Sequence, residues 1–329
     1  DTETSGLNTH NDKLLSVQLG CYDFQVVIDC TTVDILLYKE YLESDRLFLG
    51  WNLKFDLKFL LHKGIICTNC YDGFLAEKLM WNVYPSGMQS MSLKTAGYEY
   101  CNIELDKSVR GKIIWAGLQE DVIEYAANDV KYLEQIYRGQ IERLKEKELV
   151  NAQYIECKFL IPLSYCEYCG IKLDTDRWVK KMDNDKELEQ KAIEECNNWI
   201  IDNLPQYTTT NYQGDLFIGF DTTPKCTINW KSPKQVVEVF EKLGLDLNVF
   251  DKDTKQYKKS VDASTLKPQS SKSALVPLYL KYKEYSHTVD TFGQNFLDQV
   301  DKETGRIYTN FFQLGSDTAR LSKFFEYTI

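Results

Sequence analysis

The most constraining feature of the sequence is a pair of acidic residues one position apart, Asp1 and Glu3. On an extended segment, side chains two positions apart lie on the same face, so both carboxylates would point the same way. Two carboxylates that close repel each other unless a cation lies between them, and Mg²⁺ prefers such oxygen ligands. The segment therefore indicates a divalent-metal site, although an exposed acidic terminus is the alternative that these two residues alone leave open.

The second acidic segment follows a strand predicted over residues 46–50. We expect Asn52 to cap a helix that begins near Leu53, which puts Asp56 on the first turn of that helix. A carboxylate at this position faces a cleft at the edge of the sheet. An acid that only complements the helix dipole is the alternative for this segment by itself.

The third acidic segment lies on a strongly amphipathic helix predicted over residues 119–149. Asp129 borders the apolar stripe of this helix, and a carboxylate beside a buried face needs a partner. Tyr125 precedes it by one turn on the same face, so its hydroxyl and the carboxylate of Asp129 can address one ligand. A solvated acid beside a tyrosine at the edge of the core is the alternative for this helix alone.

Strands and helices alternate between these segments. Apolar runs over residues 15–19 and 24–28, separated by a short turn, predict a hairpin that pairs with the first strand. Helical spacing follows over residues 33–42 and again over residues 55–64. This alternation is typical of a layered α/β domain.

Composition excludes several classes of protein. The 329 residues are enough for two domains, and 43% hydrophobic residues are typical of a globular chain. No run of about eighteen apolar residues occurs, so no membrane span is expected. The net charge of −10 argues against a broadly basic nucleic-acid-binding surface but allows a local basic groove. There is no initiating Met and no signal peptide pattern, and we interpret the sequence as a fragment cut at both ends.

The ten cysteines are irregularly spaced, which indicates reduced thiols and a cytoplasmic protein rather than a disulfide framework. Two pairs have Cys-x-x-Cys spacing, Cys67 with Cys70 and Cys166 with Cys169. They leave a zinc site open, although the pairs are far apart in the sequence. The three histidines are scattered, so a His-based metal site or a Ser-His-Asp triad is not expected.

In this order, the motifs Asp-x-Glu, Asn-x-x-x-Asp and Tyr-x-x-x-Asp resemble the three exonuclease motifs of the DEDDy 3′-5′ exonucleases, a branch of the ribonuclease-H-like fold. The resemblance spans residues 1–150 and implies a mixed sheet flanked by helices. It implies that two Mg²⁺ ions, with Mn²⁺ as a substitute, are held by four carboxylates: Asp1, Glu3, Asp56 and Asp129. It also implies that Tyr125 orients the attacking water, that Leu7 packs against the terminal base and that Asn52 lies near the substrate.

The spacer between the motifs agrees with the same family. Tyr71-Asp72, Leu93–Ala96 and Trp115 fall where such domains carry similar residues. Among the aromatic residues, Tyr98, Tyr100 and Trp115 are candidates for stacking on frayed bases.

The second half contains segments whose order resembles the start of the polymerase region in family A DNA polymerases. These segments are residues 167–174, 229–235, 291–293, 305–313 and 318–322. The resemblance implies a mainly α-helical thumb and the first palm elements, with a short β element, over residues 151–329. It places Arg320 near the minor groove of the primer-template. Ala319 stands where the family usually has Gly, and Tyr308 stands where it usually has His.

Together these features predict a fragment of a family A replicative DNA polymerase, with a phage-type enzyme as one option, that carries a proofreading exonuclease. Hydrolysis of the 3′-terminal phosphodiester would release deoxynucleoside monophosphates. The fragment lacks the acidic residues of a polymerase site and is not expected to polymerise. Expected partners are primer-template DNA, single-stranded 3′ ends and the rest of the polymerase chain, in the cytoplasm of the cell or of the host. Two alternatives are left: a ribonuclease D-like RNA exonuclease and a non-catalytic DNA-holding module.

Overall fold

The computed structural model describes residues 1–81, 91–105, 111–209, 223–251, 254–316 and 318–324. The chain divides into two compact units, Asp1–Ile171 with Ile307–Ile329, and Lys172–Arg306. These units are defined by contacts within the chain and not by function. The predicted boundary at residue 150 between an exonuclease and a polymerase domain therefore stays a prediction. No helix in the described stretches is both long and apolar enough to cross a lipid bilayer.

The first unit begins with a three-stranded antiparallel group. Its strands, in the order β1-β2-β3, are β1 (Thr2–Thr4), β2 (Leu14–Cys21) and β3 (Phe24–Asp29). β2 and β3 form the predicted hairpin, and β1 pairs with β2 as expected. Two further strands, β4 (Phe48–Gly50) and β5 (Cys70–Asp72), pair in parallel. Both kinds of pairing occur beside helices, and the predicted α/β class is confirmed.

Helices make up most of the rest of the first unit. A 3₁₀ turn over Ile35–Tyr38 precedes the first of them. Their bounds are α1 (Lys39–Leu42), α2 (Lys54–His62), α3 (Gly73–Trp81), α4 (Leu93–Cys101), α5 (Ile113–Ala116), α6 (Glu120–Lys131), α7 (Leu133–Glu146) and α8 (Val150–Cys169). Apolar side chains of β2, β3, α1 and α2 share one core, which includes Val17, Ile28, Leu42 and Phe59.

The prediction of one continuous helix over residues 119–149 is wrong. The helix breaks at Tyr132, whose φ of −101° and ψ of 0° separate α6 from α7. α6 packs against β2 and β3, whereas α7 packs against α3 and α4. The chain therefore changes direction between two surfaces, which an apolar stripe in the sequence does not reveal.

The second unit is mainly helical, as the resemblance to a polymerase thumb implies. In chain order the elements are β6 (Ile171–Lys172), α9 (Thr175–Asn203), β7 (Thr208–Thr209), β8 (Lys225–Cys226), α10 (Pro233–Lys242), β9 (Asn248–Asp251), β10 (Gln256–Lys259), α11 (Ala263–Leu266), α12 (Leu275–Phe292) and α13 (Gln294–Leu297). Short 3₁₀ turns cover Pro205–Tyr207 and Lys267–Gln269. α9 packs along α12, and fully buried side chains such as Ile200, Phe240 and Leu275 form the core.

Three short strands follow: β11 (Arg306–Ile307), β12 (Asn310–Phe312) and β13 (Ser322–Phe324). β12 and β13 pair antiparallel, with Phe312 opposite Ser322. Both belong to the first unit, where β12 packs against α8. The polymerase-like end of the chain is therefore part of the same compact unit as the exonuclease-like beginning.

Candidate active site

Three of the four predicted carboxylates lie close together, two from the first three residues and one from α6. β1 runs antiparallel to β2 with Glu3 opposite Ser16. Asp1, Glu3 and Asp129 are half-buried, and one carboxylate oxygen from each lies within 4.8 Å of the others. Among the described residues this is the only group of three or more potential metal ligands at such distances. The alternating geometry of a strand therefore brings Asp1 and Glu3 together as their spacing predicts.

α6 supplies Asp129 and the neighbouring tyrosine. Val122, Ala126 and Val130 form the buried face of this helix, which packs against β2 and β3. Tyr125 and Asp129 flank that face, are half-buried, and line one cleft with the acids of β1. The two side chains lie one turn apart on the same side of the helix, where the helical spacing predicts them.

Asp56, the fourth predicted carboxylate, lies in the wall of the same cleft and outside the group of three. It is only 5% exposed. The hydroxyl of Thr2 donates a hydrogen bond of 2.5 Å to its Oδ1 atom. Burial raises the pKa of Asp56 above its ordinary value, and the hydrogen bond from Thr2 opposes that change. A cation in the cleft would favour the ionised form.

The prediction that Asn52 caps α2 is wrong. Asn52 has a φ of +60°, and Leu53 occupies the N-cap position without a side-chain cap. The cap comes from Asp72, whose carboxylate accepts the backbone N–H groups of Asn52 and Leu53, each at 2.9 Å. The same carboxylate accepts the N–H of Phe74 at 2.9 Å, at the start of α3. Asp72 thus fixes the ends of two helices at once.

The sequence places Asp72 in the family-like spacer between the motifs but predicts no role for it. Its signal was an Asp immediately before a helical run, which is a common N-cap. It is 1% exposed, and burial raises the pKa of its carboxyl to about 6, although the backbone N–H groups lower it. It is the last residue of β5, directly before α3, and its hydrogen bonds to Asn52 and Leu53 orient the corner that leads to Asp56.

The cleft that holds these acids has a volume of about 550 Å³. Leu7, which is 81% exposed, and Asn52 lie on its lining, so two of the three predicted substrate contacts share the cleft with the acids. Arg320 is exposed in the turn between β12 and β13. The described lining of the acidic cleft does not include Arg320.

A second cleft, of about 470 Å³, adjoins the first. The two share a lining of Leu7, Trp51, Asn52 and Phe55. The second cleft adds three lysines and further aromatic rings: Lys54, Lys58, Lys78, Phe74, Phe311 and Phe312. Lysines therefore line a cleft next to the acidic one. Two of them, Lys54 and Lys58, are paired with the carboxylate of Glu167, and Asp72 lines the same cleft, so a local basic groove stays a prediction.

The geometry bears on two further expectations, the zinc site and the aromatic residues that could stack on bases. All ten cysteines are free, and in the described part of the chain neither Cys-x-x-Cys pair joins a group of three or more possible ligands, so the zinc alternative finds no support. The ring of Tyr100 has the guanidinium of Arg143 over it at 4.5 Å, and its hydroxyl donates to buried Glu77 at 2.7 Å, which argues against a role in stacking on bases. Tyr98 and Trp115 are exposed.

Comparisons with known proteins agree with both halves of the chain. A family model described as 3′-5′ exonuclease matches residues 1–142, and one described as DNA polymerase family A matches residues 220–324. DNA polymerase I of Borreliella burgdorferi is 26% identical over 98% of this chain and 34% of its own length. DNA polymerase I of Aquifex aeolicus is 24% identical over 98% of this chain and 52% of its own length.

One solved structure shares the fold across most of the chain. It is the polymerase domain of Pol1 from M. smegmatis in complex with a DNA primer-template and dNTP, with a TM-score of 0.66 and 18% identity over 95% of this chain and 48% of that chain. The chain spans about a third to a half of the length of the curated relatives given above. The match over residues 220–324 decides against a stand-alone ribonuclease D-like protein. The chain therefore belongs to DNA polymerase family A and joins a 3′-5′ exonuclease domain of that family to part of its polymerase domain.

Proposed function

We propose that this chain hydrolyses the 3′-terminal phosphodiester of DNA in a reaction that depends on divalent metal, and so removes one nucleotide at a time. The observation that carries the proposal is the group formed by Asp1, Glu3 and Asp129, whose carboxylate oxygens lie within 4.8 Å of one another. Three like charges at that separation repel unless a cation joins them. An exonuclease family match over the same residues supports the assignment.

The donor set fits magnesium. Every candidate ligand is a carboxylate oxygen, and hard oxygen ligands favour Mg²⁺, with Mn²⁺ as a substitute, over metals that prefer thiolate or imidazole. Asp1, Glu3 and Asp129 would hold one ion, and Asp56 in the wall of the same cleft would complete a two-ion site. When bound, two such ions supply an activated water and stabilise the leaving 3′-oxygen.

The other side chains of the cleft have roles that follow from their positions. Tyr125 lines the cleft with the acids and would orient the attacking water rather than take its proton, since an unperturbed phenol titrates near 10. Leu7, exposed at the cleft, would pack against the terminal base. Asn52 would contact the nucleotide from the corner that Asp72 fixes.

The adjoining second cleft would take the nucleotides that precede the scissile bond. Lys78 lines it and would attract the phosphates, while Phe74 and Phe312 offer faces on which bases stack. A single strand fits such a combination better than a duplex, because stacking on side chains requires unpaired bases.

We extend the proposal to the rest of the polymerase. Residues 151–329 would act as the thumb and the first palm elements, with Arg320 near the minor groove of a primer-template. The partners would be primer-template DNA, single-stranded 3′ ends and the remaining polymerase chain. Excision would then serve proofreading. A cytoplasmic location and a phage origin stay predictions.

The decisive test is a 3′-labelled oligonucleotide assay. The purified chain is incubated with Mg²⁺ and single-stranded DNA, duplex DNA or RNA, beside an Asp129→Ala variant. We expect release of labelled monophosphate from single-stranded DNA, and a loss of at least about a thousandfold in the variant, because the metal site loses a ligand. EDTA should abolish the activity, and Mn²⁺ should restore it.

Two results would contradict the proposal. One is monophosphate release that survives Asp129→Ala, which would point to a contaminating nuclease. The other is no release by a folded wild-type chain, which would favour the non-catalytic DNA-holding alternative. Faster release from RNA than from DNA would remove the proofreading role but keep the chemistry.

A further inference from the structure

A buried ion cluster connects the helix of Asp56 to the polymerase-like end of the chain. Glu167 on α8 is 3% exposed. Its Oε1 atom accepts Lys54 Nζ at 2.7 Å and the backbone N–H of Phe311 at 2.6 Å. Its Oε2 atom accepts Lys58 Nζ at 3.0 Å. One carboxylate therefore joins α2, α8 and β12.

The cluster holds more positive than negative charge. Lys54 also donates to the carbonyl of Phe311, and Lys58 also donates to Oδ1 of Asn310 at 3.3 Å. The side chains of both lysines are mostly buried, at 14% and 15% exposed. Glu167 supplies the one carboxylate paired with both of them among the ion pairs of the described residues. Removing its charge would leave two ammonium groups buried without compensation, which is strongly unfavourable.

The two lysines lie on the same helix as Asp56 and affect where that carboxylate is held. Lys54 precedes it by two residues on α2, and Lys58 follows it by two. They lie one turn apart on the same helical face, so a single carboxylate that holds both fixes the rotation and the position of that turn. Asp56 lies between them on the same rigid segment and faces the cleft.

We propose that Glu167 is a positioning residue for the exonuclease site. Through Lys54 and Lys58 it holds the first turns of α2 where Asp56 can join the other carboxylates. The same carboxylate anchors β12 by the N–H of Phe311, so the strand that leads to the polymerase-like turn helps to set the geometry of the nuclease cleft. This inference rests on the proposed function, because it concerns the same acidic cleft.

The test is Glu167→Gln in the full chain, assayed on single-stranded DNA over a range of Mg²⁺ concentrations. The amide oxygen can still accept Lys54 and Phe311, but the amide nitrogen would face the ammonium of Lys58. We expect a tenfold or larger fall in kcat and a similar rise in the Mg²⁺ concentration for half-maximal rate, since residues that orient metal ligands typically change metal affinity or activity by about 10- to 100-fold. The KM for DNA should change much less.

A charge-balanced variant separates positioning from loss of fold. Adding Lys58→Met to Glu167→Gln removes the ammonium that the amide would face. We expect it to recover the rate to the level of Lys58→Met alone, because the amide oxygen still accepts Lys54 and Phe311. Glu134→Gln is the matched control, because it removes a carboxylate from an exposed pair with Arg138 on α7. It should leave kcat and the Mg²⁺ dependence unchanged. Circular dichroism below the unfolding transition confirms that each variant is folded.

Unchanged kcat and Mg²⁺ dependence in folded Glu167→Gln would overturn the proposal, and so would a double variant no better than the single one. If Glu167→Gln does not fold, Lys58→Met alone decides. We expect it to raise the Mg²⁺ concentration for half-maximal rate, and an unchanged concentration would contradict the proposal. If the wild type releases no nucleotide, the proposed function fails by itself. Calorimetric titration with Mn²⁺ then tests positioning: weaker binding by Glu167→Gln supports it, and equal binding refutes it.

Discussion

The two compact units bury different chemistry. In the described part of the first unit, four carboxylates are buried: Asp56, Asp72, Glu77 and Glu167. In the described part of the second unit no acidic residue is classed as buried, Ser286 is the one buried residue of a polar type, and mainly aliphatic and aromatic side chains form the core. A buried carboxylate is costly unless it receives hydrogen bonds or an opposite charge. The first unit therefore keeps a polar interior that packing alone does not require.

Each buried acid has its own donors, and each set of donors has a different origin. The hydroxyl of Thr2 donates to Asp56, and backbone N–H groups donate to Asp72. Two lysines and a backbone N–H donate to Glu167. Side chains of three different residues serve Glu77. Three of these acids bear on the cleft, since Asp56 lines it, Asp72 orients its corner and Glu167 holds its helix. The contrast teaches that the first unit is built to place charge, and the second to pack.

The largest effect on stability is expected in the apolar unit. Phe240 is fully buried between α10 and α12, where its ring lies 5.3 Å from that of Tyr279. Phe240→Ala should lower the free energy of unfolding of this unit by about 4 kcal/mol, because it removes apolar contacts and leaves a cavity. Urea unfolding followed by hydrogen exchange in α10 and α12 measures the loss. Lys234→Ala, on the exposed side of α10, is the control and should change little.

The same substitution tests whether the apolar core of the second unit affects the acidic cleft of the first. Below the unfolding transition, Phe240→Ala should leave the Mg²⁺ dependence of the nuclease unchanged, because none of the described residues that line the acidic cleft lies in the second unit. A shift in the Mg²⁺ requirement would show that the apolar core also sets the cleft geometry. The contrast between the two units would then fail.

The next effect depends on pH and arises from Asp72. Burial raises the pKa of its carboxyl from 3.8 to about 6 in the folded chain. The folded state therefore binds this proton more tightly than the unfolded state. The resulting stability is fully present below pH 4 and is lost as the pH rises through 6. The loss amounts to about 3 kcal/mol for a difference of about two pKa units.

Asp72→Asn removes this dependence, since the amide does not ionise. The free energy of unfolding of wild type minus that of Asp72→Asn, measured in urea from pH 4 to pH 7.5, should therefore fall by about 3 kcal/mol across that range. Other groups titrate in both proteins and cancel in the difference. A difference that stays constant with pH would mean that the backbone N–H groups around Asp72 compensate fully for its burial.

The sequence predicts well those features that follow from the two-residue repeat of a strand or from a single turn of a helix. The hairpin of β2 and β3 and the shared face of Asp1 and Glu3 follow from alternation in strands, and Tyr125 with Asp129 follows from one helical turn. These relations involve residues a few positions apart, so they can be deduced without knowing how distant elements pack.

What the sequence hides depends on long-range contacts. The break at Tyr132 follows from two packing surfaces for α6 and α7. The cap of α2 comes from Asp72, twenty residues after Asn52 in the chain. Glu167 lies more than one hundred residues from its lysines. The signal for Glu167 was weak, an acid in a mostly apolar helix, and only the fold shows which cations it meets.

The smallest effect is expected at Glu77, the one of the four buried acids to which no role in the cleft has been assigned. Its Oε1 atom accepts the hydroxyl of Tyr100 at 2.7 Å and Nε2 of Gln140 at 2.9 Å, and its Oε2 atom accepts the indole N–H of Trp81 at 3.0 Å. Tyr100→Phe removes one of these three donors and keeps the ring. We expect a loss of about 1–2 kcal/mol in the free energy of unfolding, because one hydrogen bond to a charged group disappears and two remain.

Tyr98→Phe is the matched control, since Tyr98 lies on the same helix and is 69% exposed. It should leave the free energy of unfolding unchanged in the same urea titration. Equal effects of the two substitutions would mean that Glu77 does not need the Tyr100 hydroxyl, and that water or its other donors suffice. An effect of Tyr100→Phe on the Mg²⁺ dependence would instead add Glu77 to the acids that bear on the cleft. The expected result, lower stability with an unchanged Mg²⁺ requirement, would separate a buried acid that only joins helices from the three that place the nuclease carboxylates.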